Sequence, residues 1–464
     1  MRHHDLLVLG AGTGNALIDD RFSHLDVALV AEGPFGGTCL NVGCIPSKML
    51  SVTAEVADTV GEAGRHDVRA TLDGVAWPAV QKRVFGRLDA VAREGEEGRR
   101  ASDFVTVYRG RARFTGERQL LVETEGGPEH VSADRVVIAA GGRPVVPPPV
   151  AESGLPYETS DTVMRLDAVP ERMVVLGGGY IAAELAHVFH SAGTAVTVVE
   201  KQDRLLSEQD ESVASAFTDI ARDSYDLRLG RELVRVEGSP GQLRLTLDDG
   251  AVIEADTLLV AVGRKPNSDR LDLDRAGIAC DDNGLIEVDA QLRAGAAGVW
   301  ALGDIAAGPP LKHVANREGE VVAHNLLHPT EPRSMSYDVV PAAVFTRPQI
   351  AQVGLTEQEA REQGRAYTVG TCRYEDVAYG WALEDRQGFC KVLADRDSGR
   401  LIGAHVLGPQ AATLIQPLVL AMTFGLAGRD VAERPLWIHP ALTEVVENAL
   451  LDLDPDNRRR RPAM

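Results

Sequence analysis

The chain has 464 residues, 44% hydrophobic and 25% charged, a balance that excludes a mainly disordered protein and, at about 150 residues per domain, suggests about three domains. A net charge of −20 and a pI near 5.1 repel phosphate backbones and argue against a general nucleic-acid role. No run approaches the ~18 apolar residues of a membrane span, no signal-peptide pattern opens the chain, and five cysteines are too few and too odd for a secreted disulfide framework, so the expected compartment is the cytoplasm.

The apolar run Leu6–Leu9 reads as a buried parallel strand and feeds the turn Gly10-Ala11-Gly12-Thr13-Gly14-Asn15. A helical stretch follows, then a second strand, Val27–Val30, ending at Glu32. This order predicts a dinucleotide-binding βαβ unit, with Asn15 where a third small residue usually stands. Gly10, Gly12 and Gly14 let backbone approach a pyrophosphate, and Glu32 stands where an acid bonds a ribose hydroxyl. The pattern recurs as Met173–Leu176, then Gly177-Gly178-Gly179-Tyr180-Ile181-Ala182, a helix, and Ala195–Val199 followed by Glu200. Two such units give two dinucleotide sites, as a flavin enzyme fed by a nicotinamide requires. The proline-rich Arg143–Pro149 and the stretch Val262-Gly263-Arg264-Lys265-Pro266-Asn267 read as domain crossings. Val299–Asp304 is another strand, ending in Gly-Asp. Beyond about Pro332 strands such as Phe389–Leu393 alternate with helices such as Ala411–Thr423, and Arg458–Arg461 reads as a solvated end.

Most informative is Gly36-Gly37-Thr38-Cys39-Leu40-Asn41-Val42-Gly43-Cys44-Ile45-Pro46-Ser47-Lys48. In a regular helix the rise between the two cysteines, about 7.5 Å, exceeds the usual Cα separation of a disulfide, so plain helix cannot span the pair. Gly43 permits distortion and Pro46 suits a first helical turn, which places Cys44 near a helix start where a thiolate is stabilised. A bare C-x4-C also suits two inert thiols; directly after a dinucleotide unit it reads as a reducible pair. Near the C-terminus, His439 is the natural acid/base for a thiolate, and Glu444 can orient it if a helix starts between them. Cys280, Cys372 and Cys390 read as packing residues, and His187 and His190 as structural or surface. No cluster has metal-ligand spacing.

The segment Gly36–Lys48 resembles the redox-active disulfide of the flavoprotein pyridine nucleotide-disulfide oxidoreductases, the group of glutathione reductase and dihydrolipoamide dehydrogenase. The likeness continues through both nucleotide units, Ala301–Asp304 and His439–Glu444. Thr159–Arg165, Tyr374–Trp381 and Trp437–Pro440 resemble the mycothione-reducing branch. The resemblance implies a glutathione reductase-like α/β fold: two Rossmann-like dinucleotide domains and a C-terminal α+β dimerisation domain. It assigns FAD to residues 1–150 and 267–334, NAD(P)H to 151–266, and dimerisation to 335–464. It also implies roles. Cys44 would be the charge-transfer thiol beside the flavin and Cys39 the interchange thiol. His439, oriented by Glu444, would be the acid/base reaching in from the other subunit of a homodimer. Lys48 and Glu184 would pair near the flavin N5, Gly37 and Thr38 would line the flavin, and Asp304 would hold its ribityl chain. Gly177, Gly179 and Gly263 would shape the nicotinamide pocket, and Tyr180 would lid it. Electrons would run from nicotinamide to flavin to the Cys39–Cys44 disulfide to a small disulfide, with mycothione the leading substrate and no membrane or nucleic-acid partner.

Motif alignment places Asp20 and Glu320 where glutathione reductases carry arginines, so acids there would repel glutathione disulfide. Dihydrolipoamide dehydrogenase is the second reading. A flavoprotein scaffold or redox-sensing subunit is the non-enzymatic one, and the complete Cys39, Cys44, His439 set speaks against it. The branch is expected to use NADPH, yet Glu200 would favour the 2′-hydroxyl of NADH, with only Lys201 beside it and Ser207 where a second arginine is expected.

Overall fold

The computed structural model describes residues 1–454; the Arg458–Arg461 run lies outside them. Leu6–Leu9 belongs to the strand Arg2–Leu9, where Leu6 faces Val27 on one side and Arg135 on the other. A strand paired on both edges and covered on both faces must be apolar throughout, and these four side chains are buried. The sheet runs Val299–Ala301, Gly127–Ile138, Arg2–Leu9, Val27–Ala31, Val105–Gly116, all parallel, and Gln119–Thr124 joins the outer halves of the two long strands antiparallel.

Four helices cover this first unit: Thr13–Leu17 (α1), Gly37–Asn41 (α2), Cys44–Gly61 (α3) and Trp77–Arg100 (α4). Helix α4 buries Trp77, Val80, Val84, Leu88 and Ala92, a stripe at helical spacing. After the one-turn helix Pro148–Ala151 (α5), a second parallel sheet runs Asp226–Leu229, Ala195–Glu200, Arg172–Leu176, Thr257–Val260, Glu158–Thr159, flanked by Tyr180–Ser191 (α6) and Glu211–Ala221 (α7). The two crossings meet: Gly142–Pro144 pairs antiparallel with Arg264–Pro266, so the chain leaves the first sheet and returns to it at one place. Lys312–Leu327 (α8) then packs back on α1.

The last sheet is antiparallel, in the order Pro341–Val344, Ile350–Gly354, Leu401–Leu407, Phe389–Asp395, Tyr367–Arg373. Its helices are Glu357–Glu362 (α9), Ala378–Ala382 (α10), Ala411–Leu414 (α11), Gln416–Thr423 (α12), Gly428–Glu433 (α13) and Thr443–Leu451 (α14). The expected single helix Ala411–Thr423 is therefore two, broken at Ile415. Pro417 has no N–H to continue the ladder and starts the second piece. Cys372 and Cys390 oppose each other across two strands and are buried, as packing residues should be. Cys280 is not one: it is exposed, although its backbone forms an isolated antiparallel bridge with the buried Ile286.

One apolar cluster ties the units together, with Leu50 of α3, Phe85 of α4, Phe189 of α6, Phe217 of α7 and Leu407 of the last sheet. A charged clasp lies beside it. Asp210, fully buried, caps α7 and receives Lys391 Nζ at 2.8 and 3.0 Å, while the same ammonium meets Glu357 at 2.7 Å. Burial alone would raise the Asp210 pKa, but His405, Lys391, Ser212 and the Glu357 N–H outweigh it and hold the group at about 2.

Candidate active site

The thiol segment is folded by three features of its own sequence. Gly36 and Gly37 take φ of 92° and 60° and launch α2, which carries Cys39. Asn41 is buried, and its amide donates to the carbonyls of Phe35 and Gly37, both at 2.9 Å, closing the loop on itself. Gly43 lets the chain double back on Thr38, since a Cβ there would sit 3.0 Å from the Thr38 carbonyl oxygen. The helix thus breaks between the cysteines, α3 restarts at Cys44, and the two thiols share a hydrogen bond.

The pair is electrically unequal. The hydrogen bond from Cys39 lowers the Cys44 pKa, burial opposes it, and Cys44's own N–H and Lys48 add to the lowering, for a value of about 7. Cys39 moves the other way, raised by that same hydrogen bond and by burial. Below them Lys48 Nζ donates to Glu184 Oε1 at 2.7 Å, joining α3 to α6, and Glu184 Oε1 also accepts the Phe345 N–H at 2.9 Å. Burial pulls the Lys48 pKa down and Glu184 opposes it. Lower on the same helix pair, buried His187 Nε2 meets Asp58 Oδ2 at 2.8 Å, a structural role.

Both glycine turns have the shape their sequence requires. Gly10 and Gly177 take φ of 118° and 114°, and a Cβ on either would strike the carbonyl oxygen of Ala139 at 2.2 Å or Ala261 at 2.5 Å. Gly14 makes the close helix–strand approach, with a Cβ falling 2.9 Å from Val8 and Ala139 side chains. Asn15 does other work: its side-chain oxygen accepts Arg99 Nε at 2.7 Å and its carbonyl accepts Arg99 Nη2 at 2.8 Å. At the far end of the chain, His439 Nδ1 lies 2.7 Å from Glu444 Oε1 in the first turn of α14. The His439 side chain is 64% exposed, and its hydrogen-bond partner within the chain is Glu444, not a cysteine.

Residues 4–319 match the family model for pyridine nucleotide-disulphide oxidoreductases, and residues 340–450 match the dimerisation domain of the same family. The chain belongs to the pyridine nucleotide-disulphide oxidoreductases. It is 48% identical to mycothione reductase of Mycobacterium tuberculosis over 460 residues, 98% of this chain and 100% of that one. It is 36% identical to dihydrolipoyl dehydrogenase of Halobacterium salinarum over 461 residues, 96% and 95% of the two chains. Among solved structures, the HOCl-induced flavoprotein disulfide reductase RclA from Escherichia coli, as its Cu(II) complex, superposes with a TM-score of 0.85 at 26% identity, covering 97% of this chain and 99% of that one. The protein is thus an FAD-dependent NAD(P)H:disulfide oxidoreductase similar to mycothione reductase, with the glutathione reductase-like fold.

The residues of this oxidoreductase fit both cofactors. In the first turn Gly12 and Gly37 pack so closely that a Cβ on Gly37 would meet the Gly12 Cα at 2.7 Å, leaving a bare backbone cradle. In the second, Gly179 and Gly263 border open space. Tyr180 opens α6, and its phenol lies within electrostatic reach of Arg264, Asp304 and Cys44. Burial raises the Asp304 pKa, and Arg264 and Lys312 oppose it. Glu32 is exposed at the end of its strand. Glu200 leans over the second turn: a Cβ on Gly178 would lie 2.7 Å from its Cγ and 3.0 Å from Oε2, and Oε1 accepts the Gln202 N–H at 2.8 Å. Lys201 and Ser207 are both exposed.

Asp20 and Glu320 are exposed, but they do not form a purely acidic mouth. Glu320 pairs with Arg317 at 2.7 Å, Arg21 is bound by Asp19 at 2.6 Å, and Arg99 feels Asp20. The sequence reading also missed Glu318. This carboxylate is 1% exposed; Oε2 accepts the Gly303 N–H and Oε1 the Tyr337 hydroxyl, each at 2.7 Å. The signal was present, because Val314, Glu318 and Val321 share one helical stripe and an acid there must be satisfied internally.

Proposed function

We propose that this enzyme reduces mycothione, taking hydride from NADH as well as NADPH, in a homodimer whose active sites each use both subunits. The dithiol chemistry rests chiefly on one observation: Cys44 at the first residue of α3, hydrogen-bonded to Cys39 and over the Lys48–Glu184 pair. FAD, when bound, would supply the two-electron relay between the nicotinamide and the Cys39–Cys44 disulfide. Gly10, Gly12, Gly37 and Thr38 would hold it, with Glu32 on a ribose, Lys48 near its reactive edge and Asp304 on its ribityl chain. Gly177, Gly179, Gly263 and Tyr180 would hold the nicotinamide nucleotide.

Cys39 is the thiol that attacks the substrate disulfide, and Cys44, the better anion, then displaces the second product from it. His439 is exposed and pre-oriented by Glu444, which suits an acid/base delivered to the thiols of a second subunit. Mycothione is favoured by the 48% identity and by Asp20 and Glu320, which offer a doubly anionic tripeptide disulfide no clamp. A cytoplasmic location belongs to the same reading. Glu200, beside Gly178, supports NADH, since its carboxylate suits a ribose 2′-hydroxyl and repels a 2′-phosphate.

Steady-state assays with mycothione, lipoamide and glutathione disulfide, each with NADH and NADPH, test the whole reading. Mycothione should be preferred, and kcat/KM with NADH should lie within about a hundredfold of that with NADPH. Glu200→Ala should move the preference toward NADPH. A preference for lipoamide, or an NADPH preference above about a thousandfold, would overturn the corresponding half of the proposal.

A further inference from the structure

Three guanidinium groups gather on one groove of a chain whose net charge is −20. Helix α4 supplies one wall, where Asp89, Arg93 and Glu96 recur at helical spacing. Arg109 comes from the strand Val105–Gly116. Arg165 comes from the one-turn helix Val163–Arg165, the end of the Thr159–Arg165 segment to which the reading above gives no role. The groove has a volume of about 260 Å³, and the buried Phe35 and Asn41 line it from the side of the thiol loop. Glu32, Gly10, Gly12 and Gly37, which would hold the flavin nucleotide, are not among its lining residues.

Two of the guanidiniums are fixed before any ligand arrives, which lowers the cost of ordering them. Arg165 stacks over Phe85 at 4.0 Å and donates to both Asp89 oxygens, at 2.7 and 3.3 Å. Arg109 Nη1 donates to the Gly33 carbonyl, and its Nε lies 3.7 Å from Glu96. Glu96 is already held by Arg100, at 2.8 and 3.0 Å. Arg93 is exposed and has no ion-pair partner among the described residues. Three cations and two carboxylates leave the groove positive, against the sign of the whole chain. Asn41 is 3% exposed, and its amide donates to the Phe35 and Gly37 carbonyls, while its Oδ1 has no partner among the described residues. A buried oxygen of this kind is ordinarily hydrogen-bonded.

We propose that this groove binds a phosphate monoester that also carries hydroxyl groups, a sugar or polyol phosphate, and that its occupant steadies the thiol loop. Guanidinium forks match phosphate oxygens in pairs, and Arg93 and Arg109 supply them from two different elements. Bare phosphate would be repelled by Asp89 and Glu96. Hydroxyls make these carboxylates, and Asn41 Oδ1, into acceptors for the same ligand. A nucleobase has no platform there, because Phe35 is 1% exposed and lies under the Arg109 guanidinium. Asn41 stands between Cys39 and Cys44 in the chain, and its side chain closes the loop that carries both. A ligand hydroxyl on Oδ1 would add a further restraint to that loop.

The test is calorimetric titration of FAD-loaded holoenzyme with glucose 6-phosphate, with glucose and inorganic phosphate titrated in parallel. Glucose 6-phosphate should bind with a dissociation constant at or below about 1 mM, glucose should give no heat, and phosphate should bind more weakly. Arg93→Ala, a change at an exposed position, should weaken binding about tenfold, and Arg93→Lys, which keeps the charge but not the fork, should fall between. Hydrogen exchange of the peptide covering residues 36–48 should slow when the ester is added to the parent protein and not when it is added to Arg93→Ala. No heat up to about 10 mM ester, or equal affinity in the parent, Arg93→Ala and Arg165→Met, would overturn the site. Release of FAD by the ester would also overturn it, by placing the ligand in the dinucleotide fold. Binding that leaves the exchange of residues 36–48 unchanged would overturn the link to the thiol loop.

Discussion

A thiol at the first position of a helix, one turn before a lysine, is easily ionised, and Cys44 is further relieved of its proton by the hydrogen bond from Cys39. Its pKa of about 7 lies below the ordinary 9, so the anion dominates above neutrality and is lost as pH falls through 7. If Cys44 lies against the flavin, Cys39→Ser holoenzyme should show a long-wavelength absorption band that grows in as pH rises, with a midpoint near 7 where the introduced serine hydroxyl donates in place of the Cys39 thiol and above 7 where it does not. Adding Lys48→Met should raise the midpoint by about one unit, because the cation that favours the anion is gone. An absorbance titration checks both. A band in Cys44→Ser instead would reverse the two thiols. At this scale Glu184 and Glu200 differ in kind: the first is buried against Lys48 and a backbone N–H, the second leans over a glycine turn at the surface.

Helix α8 does for the Gly303-Asp304 turn what Asn41 does for the thiol loop, holding a backbone segment through one buried side chain. Glu318→Ala should leave the Gly303 N–H and the Tyr337 hydroxyl without their acceptor, at a cost of about 1–3 kcal/mol, and loosen the turn that aims Asp304. Release of FAD, followed by the rise of its fluorescence, should quicken in Glu318→Ala. Glu318→Gln keeps an acceptor for Gly303 and should stay near the parent. Equal release from all three proteins would show that the turn stands without the carboxylate. Much at this scale was legible in the sequence. The apolar strand segments Leu6–Leu9 and Met173–Leu176, both glycine turns, the helix start at Cys44 and the Glu444 contact all follow from local patterns, although the first strand in fact begins at Arg2. What the sequence hid was pairing between distant segments. Lys48 with Glu184 came only from resemblance, and Glu318 with Gly303, Lys312 with Thr13 and Arg317 with Glu320 were not read at all. Cys280 was misplaced because a single cysteine carries no periodicity, and helix continuity at Ile415 because Pro417 was given too little weight.

Across the whole molecule the second parallel sheet and its helix α7 are tethered to the last sheet by Lys391, Asp210 and Glu357. Asp210 has a depressed pKa, so its contribution is present above the unfolded value of 3.8 and disappears as pH falls through about 2. The difference corresponds to about 2 kcal/mol. Acid should therefore loosen this contact between about pH 4 and 2, and Asp210→Asn should be weaker at neutrality yet less sensitive to acid in that window. Chemical denaturation at a series of pH values measures both; parallel stability profiles for the two proteins would show that the tether contributes nothing. The exposed His439–Glu444 pair has a different reach. If it serves the thiols of a neighbouring copy, one chain can lend what another lacks. Inactive Cys39→Ser and inactive His439→Ala proteins, dissociated together and allowed to reassort, would form mixed pairs in which one of the two sites is wholly intact. Random exchange would return about a quarter of the parental turnover from two dead preparations. Activity would also fall on dilution below the dimer's dissociation constant while flavin reduction by the nicotinamide persisted, so that a culture producing both defective alleles would regain a reductase that neither encodes alone.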